Sequence, residues 1–347
     1  MGLESKKKLR GIVGTIKDKA SLLTSAASPS PAAAVVVRAT THHPASAPAP
    51  QRHLDALLAF GLGSRPTAAS AVSALLSRLR ATRDAAVALK CLASLHHLAR
   101  RGSFILRDQL FSSLLLPPAG GTPNPLNLSA FHDPSTPDSW ALSACVRWYA
   151  RLLEHLLSCY RATGTFLNQR NGDPPRPGEA EERAASLPNE DLLRELDALV
   201  GLLEETRRAP DPSGSGLVEE VVSWVEEDRA AAEEEALARV REVGQRLACI
   251  GFADSVELIC LLRKLEEYRG GAPPSGGRKG MAEGLWEVVG EVRVKVEAAM
   301  AVAEVEQRRA GQVRKERVSE SARLGDRALL LSSGKPLRFG STRWSDR

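Results

Sequence analysis

The stretch DAAVALKCLASLHHLAR, Asp84 to Arg100, decides the fold. Val87, Leu89, Leu92, Leu95 and Leu98 recur at helical spacing, so the run reads as a strongly apolar helix, with Gly102 as its expected stop. Toward the C-terminus, Phe104–Leu116 makes the next helix and Pro117–Pro125 a loop. Ser139–Tyr160 comes after it, long, apolar on more than one side and carrying Trp140, Trp148 and Tyr149. That pattern predicts a central helix with neighbours on both flanks. Toward the N-terminus, the helix opening near Thr67 buries Val72, Leu75, Leu76 and Leu79. A shorter one runs from Arg52 through Leu54, Leu57 and Leu58 to the Gly61–Pro66 break, and Ala32–Thr40 is another. Pro44, Pro48 and Pro50 enforce an irregular connection between these two. Leu9, Ile12, Val13 and Ile16 fall at i, i+3, i+4, i+7, one apolar helical face. As the first helix of a stack it is expected to turn this stripe inward; the alternative is a wedge for a lipid surface.

Beyond Tyr160 the composition changes. Asn168–Pro188 is rich in Pro, Gly, Glu and Arg and reads as a flexible connection. Glu190–Arg207, Leu217–Leu247, Phe252–Arg269 and Met281–Arg317 are helices laced with Glu and Arg, mostly solvated faces, and Ser319–Arg347 is a loose tail. Asp191-Leu192-Leu193 has the look of a short adaptor motif, but at a helix start its leucines are expected to be buried. Aromatics are only 4% while Ala, Leu, Arg and Glu dominate, and no strand signal competes. The fold class is therefore all-α, consecutive helices stacking as antiparallel pairs or a right-handed superhelix: an α-solenoid. No strict repeat marks a TPR, ankyrin or HEAT array.

No window approaches eighteen consecutive apolar residues, so no transmembrane helix is expected. Nor does the N-terminus read as a secretory signal, since Lys17, Asp18 and Lys19 interrupt the segment after Lys6–Lys8. Five scattered cysteines without C-x-x-C spacing read as buried thiols in a reducing cytosol. No enzyme, cofactor or metal is expected. Gly61-Leu62-Gly63 lacks the third glycine and the strand of a dinucleotide loop, and the glycines of 270–280 are not followed by Gly-Lys-Ser/Thr. His96 and His97 point about 100° apart on a helix and cannot share one metal; one is expected packed, the other exposed.

The charge is distributed unevenly. Residues 1–53 hold eight Lys/Arg (Lys6, Lys7, Lys8, Arg10, Lys17, Lys19, Arg38, Arg52) against Glu4 and Asp18, a net +6 in a chain whose total is +5. Two guanidiniums and three imidazoles (Arg38, Arg52, His42, His43, His53) flank a Pro/Ala-rich connection with no acidic residue until Asp55. Arginine's planar fork holds two phosphate oxygens at once and stays charged at any working pH, so the cluster suits a polyanion at a surface. A nucleic acid fits poorly, because residues 1–53 contain no aromatic for base stacking.

RATTH at 38–42 with PQRHLD at 50–55 resembles the lipid-binding signature of the ANTH domain, the N-terminal module of clathrin assembly proteins. VALKCLASLHHL at 87–98, GSFILRDQL at 102–110, LNLSAFHD at 126–133 and VRWYARLLEHLL at 146–157 are similar to the plant type of that family, here in a short form, and FADSVEL at 252–258 matches more loosely. The resemblance implies an ENTH/ANTH-like solenoid: a basic N-terminal helix region at 1–22, an ENTH/ANTH-type core at 23–160, a flexible linker at 161–188, C-terminal helices of the solenoid at 189–318 and a loose tail at 319–347. It also implies a peripheral endocytic adaptor of the cytoplasmic membrane face that binds phosphatidylinositol 4,5-bisphosphate and recruits clathrin to coated pits and vesicles of the plasma membrane or Golgi. The headgroup-binding residues it implies are Arg38, Arg52, His53 and His42, with Lys17 and Lys19 nearby. In the family, later helices can also hold a SNARE helix. The sequence departs from the family in the longer, proline-richer gap between the half-motifs and in His43, which stands where the signature has an acidic residue. Clathrin boxes and Asn-Pro-Phe or Asp-Pro-Phe motifs are not found in it.

Overall fold

The computed structural model describes residues 12–20, 31–115, 124–167, 178–210, 214–271, 284–302, 304–305 and 308–309. Two compact units divide the chain, Met1–Arg293 and Val294–Arg347. Among the described residues all regular structure is helical. The first unit contains α1 (residues 12–20), α2 (Pro31–Ala39), α3 (Gln51–Leu58) with a 3-10 turn at Ala59–Leu62, α4 (Arg65–Ala81), α5 (Ala85–Arg101), α6 (Phe104–Leu115) and α7 (Pro137–Thr163). It continues with α8 (Glu179–Ser186), α9 (Asn189–Thr206), α10 (Gly216–Gln245) and α11 (Phe252–Gly271). Residues 284–302 form α12, of which the part from 294 onward belongs to the second unit.

Helix α5 is the pillar of the first unit. Sixteen of its seventeen residues are buried, because an apolar surface extending around the whole helix can only be satisfied by neighbours on all sides. Asp84 starts it by accepting hydrogen bonds from the amides of Ala86 (3.0 Å) and Val87 (3.1 Å), which stabilises the first turn by about 1 kcal/mol. At the other end the Gly102 N–H returns to the Leu98 carbonyl at 2.8 Å. A Cβ on Gly102 would lie 2.3 Å from that oxygen, so the stop requires glycine. Helix α7 packs against α5 on one flank and α9 on the other, as its two-sided apolar pattern predicts. The stack continues from α9 to α10 and α11, while α4 packs against α2 and α6. Leu192 and Leu193 are buried in it, as the helix-start position predicts.

Four expectations are corrected. The segment 168–188, read as a connection, contains α8, which lays Ala184 against the body and packs on α10. Its polar composition hid it, since one buried alanine leaves no stripe to read. His96 and His97 are both buried. His96 faces polar groups from two helices: its Nδ1 lies 2.7 Å from the Tyr149 hydroxyl and its Nε2 2.8 Å from Asp228. Burial, reinforced by the Arg101 charge, pulls the His97 imidazole down to about 4. Of the cysteines, Cys91, Cys145 and Cys159 are buried but Cys249 and Cys260 are exposed. Finally, α1 turns its apolar stripe outward: Ile12 is 57% and Ile16 59% exposed. Leu9 lies outside the described residues.

Behind the solvated Glu/Arg faces of α9 and α10 lies an internal ion pair between the two helices. Arg239 Nη2 reaches Glu195 at 2.6 Å, with both side chains nearly inaccessible, and Glu235 closes the cluster from one turn away. Removing one partner of a buried pair leaves a charge without compensation, which costs roughly 3–5 kcal/mol. Arg239→Met, which strands the buried Glu195 carboxylate, should therefore lower the unfolding free energy by at least about 3 kcal/mol in a urea titration, whereas substitution of the exposed Glu257 should leave the midpoint within error.

Candidate functional site

Helix α2 ends at Ala39, where Thr40 folds its hydroxyl back onto the Val36 carbonyl (2.7 Å). Arg38, in the last turn, is exposed. The chain then runs without regular structure to Pro50, which precedes α3, and its backbone groups are captured by side chains from the body. Asp18 of α1 accepts from the His42 amide (2.9 Å) and lies 2.7 Å from His42 Nδ1. Arg78 of α4 donates to Asp18 (3.0 Å) and to the Thr40 carbonyl (3.2 Å). Lys90, rising from α5, donates to the carbonyls of Thr41 (3.0 Å) and Pro44 (2.7 Å). Further on, the Leu217 amide at the start of α10 donates to the Ser46 carbonyl (2.8 Å).

These contacts set the protonation of the groups involved. Burial alone would raise the Asp18 carboxyl, but the His42 bonds and the Arg78 charge outweigh it and hold it below its ordinary 3.8. Burial pulls Lys90 down to about 8, opposed by the charges of Asp84 and Asp18. At neutral pH the cage therefore carries its ammonium and its carboxylate.

Across the connection, α3 presents Arg52, exposed, and His53, half-buried. Arg52 Nε lies 3.5 Å from His53 Nε2. The His53 imidazole is held below its ordinary 6.5, first by partial burial and then by the charges of both Arg52 and Arg38. Arg38 and Arg52 are thus near enough to act on one ring, although thirteen residues separate them in sequence. Of the six residues singled out from the sequence, the fold gathers these three.

The other three are placed differently. His42 is committed to Asp18 and is half-buried, so it serves as a structural tie. Lys17 is exposed and lines, with His42, His43, Arg78 and Ser215, a groove of about 1380 Å3 that Arg38, Arg52 and His53 do not border. Lys19 is exposed on α1. Lys6, Lys7, Lys8 and Arg10 lie outside the described residues.

Sequence reasoning missed the roles of Asp18, Arg78 and Lys90. A signal existed for Lys90, the one charged residue between Ala85 and Leu95, because a charge inside so apolar a run must find partners. Arg78 and Asp18 give no such sign, sitting in ordinary polar surroundings along the chain.

The ANTH-domain sequence model matches residues 32–212, which includes both halves of this site. The chain belongs to the ANTH-domain family. It is 40% identical to "Putative clathrin assembly protein At4g40080" of Arabidopsis thaliana, over 96% of this chain and 94% of that one. It is also 35% identical to "Putative clathrin assembly protein At2g01600" and 33% identical to "Putative clathrin assembly protein At1g14910" of the same plant. Those matches cover 48% of this chain but 29% and 24% of the two relatives, which are much longer. The ANTH solenoid of the plant type predicted from the sequence is thus the fold of this chain.

Asp18 explains how α1 is held. Of its nine residues only Gly14 and Asp18 are buried. A Cβ on Gly14 would meet the Cβ of His42 at 2.7 Å, so glycine permits the close approach. The helix is docked by a charged cluster with its apolar face free. Asp18→Asn should accelerate hydrogen exchange at residues 12–20 while leaving α5 protected. In the native chain, the carboxylate's contribution is complete above about pH 3.8 and is lost as pH falls through the lowered folded value.

Proposed function

We propose that this protein is a peripheral, non-enzymatic adaptor that binds phosphatidylinositol 4,5-bisphosphate at the cytoplasmic face of a membrane and recruits clathrin coats there. The observation that carries this reading is the convergence of Arg38, Arg52 and His53 on one surface, where two guanidiniums bias one imidazole. Two exposed forks whose charges both reach the His53 ring offer contacts to two phosphate groups on a single ring. The outward stripe of Ile12, Val13 and Ile16, flanked by Lys17 and Lys19, supplies apolar area and charge of the kind that settles into a headgroup layer. No described helix is long and apolar enough to cross a membrane. The coat connection is supported by relatives whose names describe clathrin assembly.

Magnitudes fit reversible recruitment. Each basic residue near an anionic leaflet contributes about 1 kcal/mol, so the net +6 of residues 1–53 supplies at most roughly 6 kcal/mol before salt screening. Specific phosphate contacts at the three gathered side chains then select the lipid. A SNARE-helix site after residue 188 has less support, because the apolar faces of α9 and α10 are spent on internal packing, leaving Phe252 and Val256 as the large exposed apolar side chains among the described residues between 189 and 293.

Arg38→Glu combined with Arg52→Glu should abolish sedimentation with liposomes containing the bisphosphorylated lipid while leaving far-UV circular dichroism unchanged; undiminished sedimentation would refute the assignment. The same assay reads His53. In the free protein partial burial, followed by the charges of Arg52 and Arg38, lowers its imidazole below the ordinary 6.5, and a bound phosphate opposes that bias. Binding should consequently take up a proton and strengthen as pH falls from about 7.5 to about 6, and a flat response would remove His53 from the site.

A further inference from the structure

Lys90 is only 2% exposed, and among the described residues no carboxylate lies within ion-pair distance of it. A buried ammonium so placed is costly unless its N–H groups are well used. Its two acceptors, the carbonyls of Thr41 and Pro44, both belong to the irregular connection between α2 and α3. That connection carries Arg38 just before it and Arg52 and His53 just after it. Pro44, Pro48 and Pro50 remove three of its amide donors, and the internal bond from Thr41 Oγ1 to the His43 carbonyl (3.2 Å) spans only two residues, so its longer course is held by the body. From below, Lys90 pins it at two points three residues apart.

We propose that Lys90 is a positioning residue for the Arg38–Arg52–His53 surface: by holding the Thr41 and Pro44 carbonyls it sets the separation of the two guanidiniums, and with it the match to a headgroup carrying two phosphates on one ring. The inference rests on the lipid reading above and adds the source of its selectivity. Two forks discriminate between phosphate arrangements only if their spacing is held to a fraction of an ångström. Generic attraction to an anionic surface depends on net charge and tolerates a loose connection. Lys90 therefore governs selectivity far more than bulk membrane attraction, although it never touches the lipid. The cage is shared, since Asp18 and Arg78 hold His42 and Thr40 from the other side. Only Lys90 spans the bend between Thr41 and Pro44 among the described residues.

The test compares the full chain with Lys90→Met and Lys90→Gln on two sets of phosphatidylcholine vesicles matched in surface charge. One set contains phosphatidylinositol 4,5-bisphosphate and the other phosphatidylserine. Both variants should bind the bisphosphate vesicles on the order of tenfold more weakly, the scale of one lost charge-assisted hydrogen bond. Binding to the phosphatidylserine vesicles should stay at the wild-type level, with unchanged circular dichroism. Gln keeps one amide donor, so if Lys90→Met fails to fold, Lys90→Gln decides. A folded variant that keeps the wild-type ratio, or one that loses both kinds of binding equally, overturns the positioning role. A wild-type chain with no preference between the two vesicle sets overturns the lipid reading itself, which separates the two failures.

Discussion

The backbone carbonyls of Thr40, Thr41, Pro44 and Ser46 are exchanged for no hydrogen bonds in a helix or strand, and the way they are satisfied organises the basic end of the molecule. Arg78 takes the first, Lys90 the second and third, and the amide at the start of α10 the fourth. Three prolines leave the segment fewer amide donors with which to fold on itself, and the His42 amide is spent on Asp18. Its course is imposed by α4, α5 and α10, and the exposed residues at its two ends inherit that rigidity. The patch on the surface is thus an outcome of burial beneath it.

The same cage ties down α1 by unusual means. An amphipathic helix ordinarily docks by its apolar stripe, with area burial as the driving force. Here the stripe of Ile12, Val13 and Ile16 is exposed, and the contact surface is a glycine and a carboxylate. Such docking depends on a few charged hydrogen bonds, which are geometrically strict and sensitive to removal of either partner. It keeps apolar area and lysines together on the outer side of the helix. That arrangement leaves the apolar face free instead of sacrificing it to the core.

Elsewhere charge is placed by the opposite logic. Arg239 with Glu195, and His96 with Asp228 and Tyr149, sit deep in the stack where their partners come from different helices. These pairs cost desolvation and return it only when geometry is complete. They fix the mutual register of α5, α7, α9 and α10, which hydrophobic contact alone specifies less sharply.

Helix existence and class were legible in the chain because the apolar period of Asp84–Arg100 and Ser139–Tyr160 is local, and a helix reports its buried faces within two turns of sequence. The basic half-motifs around Arg38 and Arg52 were legible too, being clusters of residue types. What stayed hidden depended on distant partners. Nothing in the neighbourhood of Asp18 foretells that it will bind His42 and Arg78, which are 24 and 60 residues away. For the same reason His42 reads as a member of the patch when it is a tie, α8 reads as linker, and the stripe of α1 reads as buried. Composition and periodicity determine which segments become helices and where positive charge is concentrated; the tertiary structure alone decided which of those charges face each other and which are consumed inside, because a hydrogen bond or ion pair is a relation between two places in space and leaves no trace at either place in the sequence.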